Sequence, residues 1–170
     1  MNFIICTALF LSTFFFTSCQ STNEIYIVRH AEKSAEPASD PHLTTDGKFR
    51  AEILKDILKD KKIKAIFSTE KNRTMETAAP LSRLLNIAVQ YYRNDTLPGF
   101  LKTVAKLKKN SLIVGHSNTT VTMISSLRLP QTITYIPEDD YDNFFIIKVK
   151  NGRVLKLTET TYGTVSPKVK

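Results

Sequence analysis

From Glu24 onward, short apolar runs alternate with longer segments in which apolar residues recur every three or four positions, and this rhythm points to an α/β domain with a mostly parallel sheet. Ile25–Val28 reads as the first strand. Thr44 or Thr45 can cap a helix running to about Asp60, in which Phe49, Ile53, Leu54, Ile57 and Leu58 form one apolar stripe. Ala65–Ser68, Ala88–Tyr92 and Ser111–Val114 read as further strands, with helices over Arg73–Leu85 and Leu97–Leu107 and a fourth helix from Asn118 or Thr119 to Leu127. The rhythm then changes. Asn143–Val149 and Arg153–Thr160 are β-rich runs either side of Lys150-Asn151-Gly152, and Asn-Gly signals a hairpin because both residues tolerate positive φ. The expected architecture is a three-layer α/β/α sandwich with this C-terminal β-hairpin at one edge of the sheet.

A chain of 170 residues that is 42% hydrophobic and 24% charged supports a single domain with a real core and excludes a disordered or collagenous chain. Two cysteines cannot build a disulfide framework, and no Cys/His cluster has the spacing of a structural zinc site. A net charge of +8 favours an anionic partner without naming its class. No RNA- or DNA-binding motif accompanies it, so no nucleic-acid partner is expected.

Ahead of the domain, Phe3–Phe16 carries no charge and has the length of a signal-peptide core. Phe16-Thr17-Ser18-Cys19 resembles a bacterial lipobox, in which the cysteine is acylated and cleavage falls just before it. The expected organisation is a lipoprotein signal peptide over residues 1–18, a lipidated tether over 19–23, the folded domain over 24–163 and a flexible tail over 164–170. The protein would then be lipid-anchored in a bacterial cell envelope, facing the periplasm or the outside. An uncleaved membrane anchor is the alternative reading of the same run. Cys6 lies inside the segment to be discarded, which excludes cysteine chemistry from catalysis.

In an open parallel sheet, functional groups collect beyond the carboxyl ends of the strands. Arg29-His30-Ala31-Glu32 comes at the end of the first strand, Ser68 to Arg73 at the end of the second, and Gly115-His116-Ser117-Asn118 at the end of the fourth, so two histidines and two arginines converge on one rim. An arginine guanidinium presents a planar fork of donors matched to phosphate oxygens, and a pair of them can clamp a phosphoryl group. Neutral imidazole can attack phosphorus, and neighbouring arginines favour that neutral form. Packing offers no reason to gather these four side chains at one rim.

Ile25-Tyr26-Ile27-Val28-Arg29-His30-Ala31-Glu32 resembles the Arg-His-Gly signature of the histidine phosphatase superfamily, also called phosphoglycerate mutase-like. Leu43-Thr44-Thr45-Asp46-Gly47 with Arg50-Ala51 resembles the family's entry to its first helix, Ser68 through Arg73-Thr74 to Thr77-Ala78 its second-arginine motif, and Val114-Gly115-His116-Ser117 its second-histidine motif. The resemblance spans Glu24 to about Leu127. It implies that His30 is the nucleophile that becomes phosphohistidine, that Arg29 and Arg73 bind the phosphoryl group, and that His116 completes the pocket. It implies no metal and no cofactor. Ser117 and Asn118 open a helix whose free N–H groups favour an anion, so both are expected to help hold phosphate. Ala31 stands where the signature has glycine, and Ser117 stands where some members carry an acid. The family also places an acid after the third strand, where Asp95 is the available carboxylate, with Glu32 as the second candidate.

The remaining polar residues have plainer readings. His42, in Asp40-Pro41-His42, is read as structural and without a partner, Arg50 and Arg128 as solvated helix residues, and Lys102, Lys106, Lys108 and Lys109 as solubilising. The expected function is a metal-independent phosphatase acting on an exposed phosphate of a small phosphoester or phosphoprotein. A mutase is disfavoured because connections of ordinary loop length cannot enclose the intermediate. A non-catalytic phosphate-binding scaffold is the rival, and a Ser117 hydrolase is rejected for want of a glycine-flanked nucleophile elbow. Cys19→Ser is expected to release the protein from the membrane fraction or leave it unprocessed, because a hydroxyl cannot form the thioether anchor. Wild-type protein that retains residues 1–18 in isolated membranes would instead establish the uncleaved anchor.

Overall fold

Four apolar runs, each ending at a turn into a helix or loop, pair side by side in parallel. They are β1 (Thr22–Arg29), β2 (Ala65–Ser68), β3 (Val89–Tyr91) and β4 (Ser111–Gly115) of a computed structural model that describes residues 22–166. β5 (Asn143–Lys150) lies antiparallel to β1, and β6 (Arg153–Thr161) antiparallel to β5, in a single sheet of order β3-β2-β4-β1-β5-β6. The hairpin turn is made by Asn151 at φ 52° and Gly152 at φ 77°, the left-handed pair that matches the twist of the flanking strands. The hairpin ends the sheet on one side, as its Asn-Gly turn predicts.

Helices α1 (Thr45–Leu58) and α2 (Asn72–Leu85) cover one face of this sheet, and α3 (Leu97–Lys106) and α4 (Ser117–Ser125) cover the other. Each face has its own apolar core. Tyr26, Val28, Leu54, Leu58, Ile66, Leu81 and Leu112 pack on the first, and Ile25, Ile27, Leu101, Val104, Ile113 and Ile124 on the second. The alternation along β1 sends Ile25 and Ile27 one way and Tyr26 and Val28 the other, so the central strand feeds both cores. Burying a side chain such as Leu54 or Leu112 fully contributes about 1.5–3 kcal/mol.

Several expectations are corrected. The inward stripe of α1 is Gly47, Arg50, Ala51, Leu54 and Leu58, while Phe49 is 63% exposed and Ile57 lies at the surface. Leu54 and Leu58 of the expected stripe do face inward and Ile53 packs against the same core, while Gly47 and Arg50 join them where α1 meets Glu32. Arg50 is accordingly buried, not solvated. Thr22 and Asn23, expected in the tether, belong to β1, and the Asn23 amide donates to the Lys109 carbonyl. Thr164 and Ser166, expected in the tail, are held by the domain. Thr164 O accepts from Arg50, and Ser166 N donates to Asp142 Oδ2. The connections are not all short either, since residues 30–44 and 126–142 form long links without a helix or a named strand. The signal peptide over 1–18, Cys19 and residues 167–170 lie outside the described residues.

The start of α1 is built against the segment that follows β1. Thr44 N donates to Glu32 O, Thr44 Oγ1 accepts from Gly47 N at 3.0 Å, and a Cβ placed on Gly47 would sit 2.2 Å from Glu32 O. Only glycine allows that approach. Gly47→Ala is therefore expected to destabilise the fold by about 1–3 kcal/mol, read as a lower denaturation midpoint at unchanged slope.

Candidate phosphate-binding active site

The carboxyl ends of β1, β2 and β4 open onto a cleft of about 900 Å³ lined by Arg29, His30, Arg73, His116, Ser117 and Asn118 among others. All six were singled out from the sequence for this rim, and the parallel pairing of β1, β2 and β4 brings their trailing residues together. The His30 and His116 rings meet edge to face with centroids 5.6 Å apart.

His30 is held in one tautomer. Its Nδ1 lies 2.8 Å from the Ala31 carbonyl, which can only accept, so Nδ1 carries the proton and Nε2 keeps its lone pair. The backbone around it is pinned as well: His30 N donates to Gly115 O, and Ala31 N donates to the Thr77 hydroxyl at 3.0 Å. Burial lowers the His30 pKa to about 3, the hydrogen bond to Ala31 opposes that shift, and the charges of Arg29, His116 and Arg73 reinforce it. His116 is lowered to about 4, first by burial and then by Arg73, Arg29 and Lys71. Both imidazoles are therefore neutral at pH 7. The Thr69 hydroxyl hydrogen-bonds His116 Nε2 at 3.0 Å and Thr74 Oγ1 at 2.9 Å, which fixes the second ring.

The two arginines occupy different settings. Arg29 is 1% exposed, with its guanidinium carbon 4.5 Å from the centre of the Tyr141 ring. Its Nη1 donates to the carbonyls of Pro137 and Asp140, and its Nη2 lies 3.2 Å from Glu138 Oε2. Arg73, at the start of α2, has its Nη1 3.6 Å from Asp40 Oδ1, and Asp40 Oδ1 also accepts from Asn72 N. The buried Nε of each arginine has no hydrogen-bond partner among the described residues. Both arginines line the cleft, so their guanidinium groups leave donor capacity beside it that an oxyanion could use.

α4 contributes its amino end. His116 N donates to the Thr119 hydroxyl and Thr119 N to Asn118 Oδ1, while the amides of Ser117 and Asn118 open the helix and have no intrahelical acceptor. Asp95 sits on a 3₁₀ turn over Asn94–Thr96, lines the cleft, is 61% exposed, and pairs with Arg93 at 3.1 Å. Glu32 is withdrawn from the second-acid role: Arg50 Nε and Nη2 hold both its oxygens at 2.7–3.0 Å, and it does not line the cleft. His42, expected to have no partner, has one, because its Nδ1 lies 2.5 Å from Glu76 Oε1. Glu138 and Tyr141 escaped sequence reasoning. They reach the site through the 126–142 connection, whose path no local pattern encodes.

A family profile described as the histidine phosphatase superfamily (branch 1) matches residues 25–95. Among solved structures, the protein histidine phosphatase SixA complexed with tungstate superposes with a TM-score of 0.65 at 16% identity, covering 81% of this chain and 96% of that one. A mycobacterial glucosyl-3-phosphoglycerate phosphatase gives 0.57 at 10% identity, covering 83% and 98%, and mycobacterial hydrolase 1 gives 0.60 at 12%, covering 85% and 99%. At these identities the likeness is one of fold. No curated protein matches by sequence.

The depressed His30 and His116 pKa values carry a stability consequence with a definite sign. Unfolding returns each imidazole to its ordinary value near 6.5, so below that pH the unfolded chain binds protons that the folded chain refuses. Stability should fall as pH drops from about 6.5 towards 4 for His116 and towards 3 for His30, with no contribution from either group above 6.5. His30→Asn is expected to flatten this slope in thermal melts taken across that window.

Proposed function

We propose that this chain, whose residues 25–95 match the histidine phosphatase profile, is a metal-independent phosphatase of that superfamily working through a phosphohistidine on His30. The observation that carries the reading is the His30 tautomer. Its Nδ1 proton is committed to Ala31, leaving the Nε2 lone pair beside two arginines that have unpaired donors. In the first displacement Nε2 attacks phosphorus, the N–P bond forms, and the bond to the leaving oxygen breaks with a proton delivered to that oxygen. In the second, water attacks phosphorus, the N–P bond breaks, and inorganic phosphate leaves while the water proton returns to the acid.

Charge on the equatorial oxygens would be met by Arg29, Arg73, a hydrogen bond from His116, and the amides of Ser117 and Asn118. These cationic and helix-terminal donors supply the neutralisation that some phosphatases assign to a metal. Asp95 is the proposed proton donor, supported by its place in the cleft wall and by the commitment of Glu32 to Arg50. The substrate is an exposed phosphomonoester or protein phosphohistidine. Lipid anchorage through Cys19 at the cell envelope is part of the same proposal and rests on the lipobox-like run alone.

The test is turnover of an aryl phosphate in EDTA with rapid quenching into base, where phosphohistidine survives and phosphoserine does not. Label on the His30 peptide, and its loss together with turnover in His30→Ala, is the expected result. Label on His116 would exchange the roles of the two histidines. Phosphate binding with neither label nor turnover would make the protein a scaffold.

A further inference from the structure

The side chain best placed to hold a phosphoryl group already holds an anion. Both Nη1 hydrogens of Arg29 go to the carbonyls of Pro137 and Asp140, leaving Nη2, beside a buried Nε that has no partner among the described residues, as the group left for a ligand. Nη2 is met by the Glu138 carboxylate at 3.2 Å. Resting on the phosphate-clamp reading above, we propose that Glu138 is a built-in competitor for that edge, displaced when a phosphoryl group binds and returning to expel inorganic phosphate.

Three features support an exchange. The ends of the pair are unequal, with Arg29 1% and Glu138 76% exposed, so the cation is fixed while the carboxylate can swing into solvent at little cost. The turn that carries Glu138 is anchored to Arg29 Nη1 through backbone carbonyls, not through the carboxylate, so the turn can stay in place when the carboxylate leaves. Finally, a guanidinium this buried needs negative charge nearby. The carboxylate supplies it in the empty site and phosphate in the filled one, so Arg29 is compensated at each stage. The competition also loosens a product that two arginines, a histidine and a helix terminus would otherwise retain, and slow product release limits many enzymes.

The experiment compares binding of inorganic phosphate to wild type and Glu138→Gln by calorimetry at pH 8. Because the carboxylate is exposed, its competition is worth about 1 kcal/mol, so Glu138→Gln should bind phosphate about fivefold more tightly. Glu138→Asp, which keeps the charge, should stay close to wild type. A carboxyl carbon resonance that Glu138→Gln removes should shift when phosphate is added to wild type. Equal or weaker binding by Glu138→Gln, or an unmoved resonance, overturns the proposal while leaving the clamp intact. Failure of both proteins to bind phosphate would overturn the clamp and this proposal together.

Discussion

One hydrogen bond, from His30 Nδ1 to the Ala31 carbonyl, decides which nitrogen of the buried His30 ring keeps its lone pair. A buried imidazole without it could carry its proton on either nitrogen. The bond is only as good as the peptide that accepts it, and much of the surrounding structure serves that peptide. Thr77 accepts from Ala31 N, Arg50 clamps the next side chain, Glu32, and Gly47 lets α1 lie against the Glu32 carbonyl. Arg50 also donates to the carbonyls of Tyr162 and Thr164, so the end of the chain is tied to the same segment. The loop after β1 is thereby held from α1, α2 and the C-terminal strand region at once.

The electrostatics follow from burial. Two arginines and two histidines gathered beneath a cleft would repel if all were charged, and the imidazoles relieve that by staying neutral. The guanidiniums cannot deprotonate and must be compensated by position instead. Arg29 is surrounded by carbonyls, the Tyr141 ring and Glu138, while Arg73 leans on Asp40. Both line the cleft, where they leave donor capacity that an oxyanion could use. Carboxylates are thus kept at two distances: Glu32 is locked away by Arg50, and Glu138 and Asp95 stand at the exposed margin.

Much of this was legible in the chain itself because it is local. The apolar runs and the Asn-Gly turn encode strands and a hairpin through backbone preferences that act within a few residues. The rim residues Arg29, His30, Arg73 and His116 were legible because each ends a strand, directly follows one, or lies in the first turn of a helix, and parallel pairing sends all such positions to one end. Arg50 was misread for the complementary reason. A charged residue on a helix is usually solvated, and only a partner 18 positions away made its burial affordable.

The sequence by itself determined the α/β class, the order of the strands along the chain, the edge hairpin and the four residues that meet at the cleft, since periodicity and strand-end position carry that information. Tertiary structure alone decided which stripe of α1 faces inward, which His30 nitrogen is free, where Glu32 is spent, and that Glu138 and Tyr141 reach Arg29 across the 126–142 connection. Those outcomes depend on contacts between residues far apart in the chain, whose energies exist only once the packed geometry has brought them within hydrogen-bonding distance.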